Sequence, residues 1–155
     1  MKTFFKKTPF TNYVEFYNYK KLSELLPMNL FKNYFYKIYD IQEVNGEELL
    51  LGELILNDDK TISKSILEFG KISDENFWKI LDEIIEVMIK NKIYFYDINS
   101  KNILVKKIDN KLIPMFIDYK RFWRKFNFQL DLIFESRKIS KMIRNYTRLK
   151  EEFKN

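Results

Sequence analysis

Apolar residues change their period several times along this chain, and each change marks an element. Val14, Tyr17, Lys21 and Leu25, with Leu22 and Leu26 alongside, keep to one helical stripe. Thr11-Asn12 supplies a cap signal ahead of them and Pro27 stops the run, so residues 11–26 are expected to be helical. Residues 34–44 are rich in aromatic and β-branched side chains, and residues 48–56 are again apolar. Between them Asn45-Gly46 is the dipeptide that accepts both positive φ angles of a tight turn, which predicts a β-hairpin. Residues 57–65 are polar and turn-forming, with a short helix expected from there to Phe69, before Gly70. The strongest pattern comes next. Phe77, Ile80, Leu81, Ile84, Ile85, Met88 and Ile89 recur at the three-four spacing of one helix face, behind the cap and first-turn acids of Ser73-Asp74-Glu75. Lys90 and Lys92 suit the negative end of that helix's dipole, and the stripe reads as core packing.

The period then shortens. Ile93-Tyr94-Phe95-Tyr96 reads as extended, residues 97–102 as a polar loop, and Ile103-Leu104-Val105 as a strand. Asp109-Asn110-Lys111 is the turn of a second hairpin, returned by residues 112–117 and ended by Asp118. Pro114 marks that return as an edge strand, because proline has no N–H to give to a ladder. Residues 119–155 lack Gly and Pro and are read as one or two helices. With no internal repeat and no flexible linker, the expectation is a single α+β domain over residues 1–155.

Composition agrees with a folded chain and narrows its chemistry. Its 155 residues are 46% hydrophobic and 17% aromatic with only 3 Gly and 3 Pro, enough to bury a core and too few breakers for a linker-rich or disordered chain. There is no His and no Cys. Ser-His-Asp and Cys-His catalysis, thiolate and imidazole metal sites, and disulfides are therefore excluded, which leaves oxygen ligands and hard cations such as Mg²⁺ or Ca²⁺. The N-terminal residues carry charge without an apolar stretch of signal-peptide length, and no run approaches a membrane span, so a cytoplasmic location is expected. The net charge of +6 comes from the C-terminal part: residues 1–118 hold 17 basic and 18 acidic side chains, whereas residues 119–150 hold 10 basic side chains against Asp131 and Glu135. Such basicity can attract nucleic acid, anionic lipid or an acidic partner. A Lys-rich solvated face explains it more simply in a chain that uses Lys, Ile and Asn heavily and contains no Ala.

The candidate chemistry lies in the second hairpin. In Tyr96-Asp97-Ile98-Asn99-Ser100-Lys101-Asn102-Ile103-Leu104-Val105 an Asp precedes by five residues an Asn that enters a short apolar strand, and the return strand ends in Ile117-Asp118. This resembles the catalytic segment of the protein-kinase-like fold, H-R-D-x-x-x-x-N after a long helix, then a hairpin, then D-F-G. The family it most resembles is the YrbL (PhoP regulatory network) family of atypical protein-kinase-like proteins. The resemblance covers roughly residues 10–123. It includes the E-x-x-x-Y-x-x-L-like run from Glu15 through Tyr19 to Leu22, the hairpin around Asn45-Gly46, and the stretch from Leu54-Ile55 to Thr61-Ile62-Ser63. The long helix and the segment from Ile98 to Leu104, with Ile113-Pro114 and Asp118 after it, complete the match.

The resemblance implies a reduced protein-kinase-like fold. Its smaller lobe, residues 1–56, would be truncated to a helix plus a β-hairpin, and a mostly helical larger lobe, residues 57–155, would carry the catalytic-loop hairpin. It implies Asp97 as the base or orienter of an acceptor hydroxyl, Asn102 and Asp118 as ligands of Mg²⁺ on the phosphates of ATP, and Glu15 as the helix glutamate that pairs with a phosphate-binding lysine. Phosphoryl transfer asks the protein for positioning and charge neutralisation, so the absence of His and Cys costs nothing essential.

The chain also differs from the pattern. Phe95-Tyr96 stands where the pattern has His-Arg, Tyr119-Lys120 where it has Phe-Gly, and no G-x-G-x-x-G occurs. Only 14 residues precede Glu15, and Lys2, Lys6 and Lys7 are the stand-ins for the phosphate lysine. The expected activity is Mg-ATP-dependent phosphotransfer to an unidentified protein or small-molecule acceptor. The alternative is a pseudokinase or regulatory interaction module that uses the basic C-terminal helices. A nucleic-acid reading rests on Phe122, Trp123, Phe126 and Phe128 interleaved with Arg121, Arg124 and Lys125, but these aromatics are expected to form the buried face of a helix, so nucleic acid is not an expected partner.

Overall fold

The structure, a computed structural model, describes residues 2–6, 9–95, 97–120, 122–124 and 131–155. Asn45 (φ 55°) and Gly46 (φ 78°) take up the two positive φ angles and join β2 (Ile38–Val44) to β3 (Glu47–Glu53), with Val44 opposite Glu47. A further strand, β1 (Lys2–Lys6), pairs antiparallel along the other edge of β3, Phe4 opposite Leu51. The expected helix plus hairpin is thus short by one strand: the sheet has three, in the order β1-β3-β2. Five residues reading Lys-Thr-Phe-Phe-Lys carry no decisive period, and it is the open edge of β3 that gives them a partner.

Two helices, α1 (Pro9–Leu25) and α2 (Met28–Tyr34), lie between β1 and β2 in the chain. The first begins two residues before the expected start, and the second, at seven residues, is too short to show a period in the sequence. The expected stripe of α1 is also turned. Tyr17 is 60% exposed and Val14, Lys21 and Leu25 only partly buried, while Asn12, Glu15, Asn18, Leu22 and Leu26 are buried. Hydrophobicity alone misplaces this face because its three polar side chains are buried, each with hydrogen-bond partners that offset part of the cost.

The second sheet has the order β4-β6-β7, from β4 (Lys64–Ser65), β6 (Ile103–Ile108) and β7 (Lys111–Phe116). Asp109 (φ 48°) and Asn110 (φ 61°) turn β6 into β7, and Pro114 sits opposite Val105 on the edge strand, as its missing N–H requires. Ser65 caps the four-residue α3 (Ile66–Phe69) with a reciprocal capping box to Glu68. Helix α4 (Glu75–Lys90) is capped by Asp74, whose carboxylate accepts from the N–H groups of Asn76 and Phe77 at 2.9 and 3.4 Å. Its buried face holds Phe77, Trp78, Leu81, Ile84, Ile85 and Met88, each contributing about 1.5–3 kcal/mol by leaving water. The two sheets meet where the Tyr36 N–H donates to the Phe116 carbonyl at 3.0 Å, with Phe35 stacked on Phe116.

After β7 the chain departs from the all-helical expectation. Residues Phe122–Arg124 form β8, antiparallel to β5 (Ile93–Phe95), with Tyr94 opposite Trp123, before helix α5 (Asp131–Phe153). Phe122 and Trp123 therefore do not lie on a helix face. The free edge of a buried three-residue strand recruits them, a tertiary effect that local composition does not encode. Arg121, Lys125, Phe126 and Phe128 lie outside the described residues.

Met142, Tyr146, Leu149 and Phe153 form the buried stripe of α5, and Asp82 of α4 receives that helix. It accepts from the Tyr146 hydroxyl at 2.6 Å and from the Lys150 ammonium at 2.8 Å. Partial burial pushes the Asp82 carboxyl up, but the bonds from Lys150 and Tyr146 outweigh it and hold the group below its ordinary range. Lys154 pairs with Glu75 at 2.7 Å, so part of the C-terminal positive charge is matched by acids of α4 while Arg137, Arg144 and Arg148 face water. No helix among the described residues is long and apolar enough to cross a membrane.

Candidate functional site

The loop between β5 and β6 is shaped by Asn99. Its side-chain carbonyl accepts from the N–H groups of Lys101 and Asn102 at 2.9 and 3.2 Å, and its amide donates to the Asp97 carbonyl at 3.0 Å. An Asn that hydrogen-bonds its own backbone neighbours in this way fixes the turn at residues 97–102. Asn102, at the end of the turn, donates its side-chain amide to the same Asp97 carbonyl at 3.2 Å. Its Oδ1 accepts no hydrogen bond among the described residues, which leaves that oxygen for a ligand.

Asp118 is positioned from the other strand. The Ile117 N–H donates to the Asn102 carbonyl at 3.0 Å, tying the end of β7 to the loop. Asp118 then adopts φ 64°, the left-handed region in which a short Asp side chain is tolerated but not preferred. Such a conformation persists only where the surroundings fix it. Here Asn18 of α1 donates to the carbonyls of Tyr119 and Lys120 at 2.7 and 3.2 Å. The fully buried Tyr119 donates its hydroxyl to the Tyr36 carbonyl at 2.6 Å and stacks on Tyr36 with ring centroids 5.0 Å apart. Burial pushes the Tyr119 hydroxyl far above its usual range, so it stays a donor. Lys120 completes the turn: its N–H approaches Asp118 Oδ1 at 3.3 Å and its ammonium Oδ2 at 3.1 Å.

Glu15 is fully buried on α1 and accepts from the Tyr36 hydroxyl at 2.8 Å. Burial, and then the Glu15 charge, push that hydroxyl up and keep it protonated. Glu15, Asn102 and Asp118 line one cavity of about 360 Å³, together with Tyr36 and Glu53. Its apolar wall comes from Leu54, Ile55, Leu104 and Ile117. A few polar groups beside a mostly apolar wall are the usual lining of a small-ligand site. Asp97 does not line this cavity. It lines a neighbouring one of about 280 Å³ with Asn99, Ser100 and, from α5, Asn145 and Arg148. The Asn102 bond to the Asp97 carbonyl connects the two.

Lys2 and Lys6 fall at the two ends of β1, and Lys7 lies outside the described residues. No Lys or Arg among the described side chains lines the cavity that holds Glu15. As for metals, no group of three or more acidic side chains able to hold an ion occurs among the described residues. Of the cavity's lining, Asn102 Oδ1 and the Asp118 carboxylate are oxygens of the kind that would hold a hard cation such as Mg²⁺.

A larger cavity of about 690 Å³ runs along the loop at residues 57–59, residues 71–74 and Lys107. Three of its polar side chains already serve the backbone: Asp74 caps α4 and receives the Leu112 N–H, Asp58 receives the Asp109 N–H, and Asn57 receives the Lys107 N–H. Volume alone therefore does not make it the stronger candidate.

The sequence pattern selected Glu15, Asn102 and Asp118 but missed Asn18, Tyr36, Glu53, Tyr119 and Lys120. A signal existed for one of them, since Asn12, Glu15 and Asn18 recur every third residue beside Leu22, which marks a polar stripe on a buried face. No protein-family model matches this chain, and no curated protein matches it.

Proposed function

We propose that the chain is a reduced protein-kinase-like phosphotransferase, of the kind that the YrbL (PhoP regulatory network) family represents, and that it binds ATP with Mg²⁺. The observation that carries this reading is the meeting in one cavity of Glu15, from α1, with Asn102 and Asp118, from the two ends of the β6–β7 hairpin, Asp118 being held in an uncommon backbone conformation. Asn102 Oδ1 and the Asp118 carboxylate would hold Mg²⁺, which when bound neutralises phosphate charge. Leu54, Ile55, Leu104 and Ile117 would receive the base. Asp97 would orient the acceptor hydroxyl and take its proton as the acceptor oxygen bonds to the γ-phosphorus and the bond to the β,γ-bridging oxygen breaks, releasing ADP. The Asn99 turn fixes the Asp97 backbone against Asn102, which supports their working as a pair.

The Lys120–Asp118 ion pair favours a second reading, a pseudokinase or regulatory module, because it places a cation on the metal carboxylate. Thermal unfolding with ATP tests the site common to both readings. ATP at 100 times its dissociation constant, with Mg²⁺, is expected to stabilise the chain by about 2.7 kcal/mol, a rise in Tm of roughly 5–10 °C, and chelating the ion should remove the shift. A Tm unmoved by ATP at any Mg²⁺ concentration overturns the proposal. Binding without ADP formation selects the regulatory module.

A further inference from the structure

A nucleoside triphosphate is a polyanion, and the cavity assigned to it is lined by Glu15, Glu53 and Asp118 with no cation among the described side chains. Like charges within one cavity repel, so a triphosphate needs positive charge from a neighbouring position as well as from a metal. Lys120 is a cation fixed beside the cavity, with its ammonium 3.1 Å from Asp118 Oδ2. Its backbone is held on both sides, by its own N–H on Asp118 Oδ1 and by Asn18 on its carbonyl. Its side chain is 33% exposed, so the ammonium is not sealed into the core.

We infer that Lys120 is a phosphate-binding cation of this site, supplied by the turn after Asp118. The inference rests on the nucleotide reading above. A lysine is suited to the exchange because its charge is compact and its stem flexible. In the free protein it rests on Asp118; with the ligand in place it lies on the outer phosphates, and Asp118 is left to the metal. The turn that replaces Phe-Gly by Tyr119-Lys120 thereby gains an anchor and a cation: Tyr119 is locked into the core by its hydroxyl bond to Tyr36, and Lys120 carries the charge.

Calorimetric titration of the whole chain with ATP and with AMP, each with Mg²⁺, tests this in Lys120→Ala, Lys120→Arg and Lys79→Ala, the last a control that removes the same charge from the exposed face of α4. Losing one charge-assisted contact is expected to weaken ATP binding by roughly tenfold or more in Lys120→Ala, with AMP binding changed by less than about twofold. Lys120→Arg, which keeps the charge, should bind ATP within about threefold of the wild type, and Lys79→Ala should match it. Equal weakening for ATP and AMP, or no weakening, overturns the assignment. Tighter ATP binding by Lys120→Ala overturns it too and makes the lysine a plug on the metal carboxylate. A wild type that binds neither nucleotide removes the reading beneath the inference, and is told apart from the other failures because no variant then needs to be compared.

Discussion

Asp118→Asn is expected to lose Mg²⁺-dependent ATP binding by about 100-fold or more, equivalent to roughly 2.7 kcal/mol, while the chain still folds. Both halves follow from the local geometry. Asn has the same shape and enters the left-handed region at least as readily as Asp, so the φ of 64° and the turn it closes are preserved. In the proposed site the substitution leaves two neutral amides, at positions 102 and 118, to hold the ion, and a hard dication binds two neutral oxygens far more weakly than one charged and one neutral. The ion pair lost with Lys120 is partly exposed on both sides, at 33% and 24%, and its removal costs at most about 1 kcal/mol of folding stability. Titration with ATP beside a circular-dichroism melt of the same sample checks both halves. A collapse of the folded signal in the variant would make Asp118 a structural member of the turn.

Asp97→Asn is expected to separate binding from turnover. Asp97 lies outside the cavity that holds Asn102 and Asp118, and what it gives to Asn102 is its backbone carbonyl, which the substitution leaves in place. ATP affinity should therefore stay within about threefold of the wild type, because no group facing the nucleotide changes. ADP formation in the presence of an acceptor should fall by roughly 10²–10⁴-fold, the usual loss when a positioned proton acceptor is removed. Unchanged turnover would show that Asp97 has no part in proton transfer.

The elements that could be read in advance are those in which local chemistry and tertiary packing agree. In α4, the cap at Asp74 and the stripe from Phe77 to Met88 specify the same helix. Asn45-Gly46 and Asp109-Asn110 are residues that accept positive φ, and both turns form where they stand. Asn102 and Asp118 came from the family resemblance rather than from any local period, and the structure sets them at the two ends of one hairpin, with the Ile117 N–H on the Asn102 carbonyl.

What was not legible depended on distant partners. Strand β1 needs the edge of β3, β8 needs the edge of β5, and neither segment is long enough to show a period of its own. The face of α1 was misread because Asn12, Glu15 and Asn18 are buried through bonds to Glu48, Tyr36 and Tyr119, residues 36, 21 and 101 positions away. Lys120 likewise looks like an ordinary surface lysine until the turn at Asp118 sets it beside the cavity.

Hydrogen–deuterium exchange of the whole chain with and without ATP and Mg²⁺ is the decisive measurement for the nucleotide site, because it reports where the ligand sits. Added protection is expected in residues 98–104 and 115–120, around Asn102 before β6 and Asp118 after β7, with unchanged exchange in residues 71–74 and 107–112 along the larger cavity. Protection along the larger cavity, with residues 98–104 and 115–120 unaffected, would place the ligand elsewhere and refute the site built on Asn102 and Asp118.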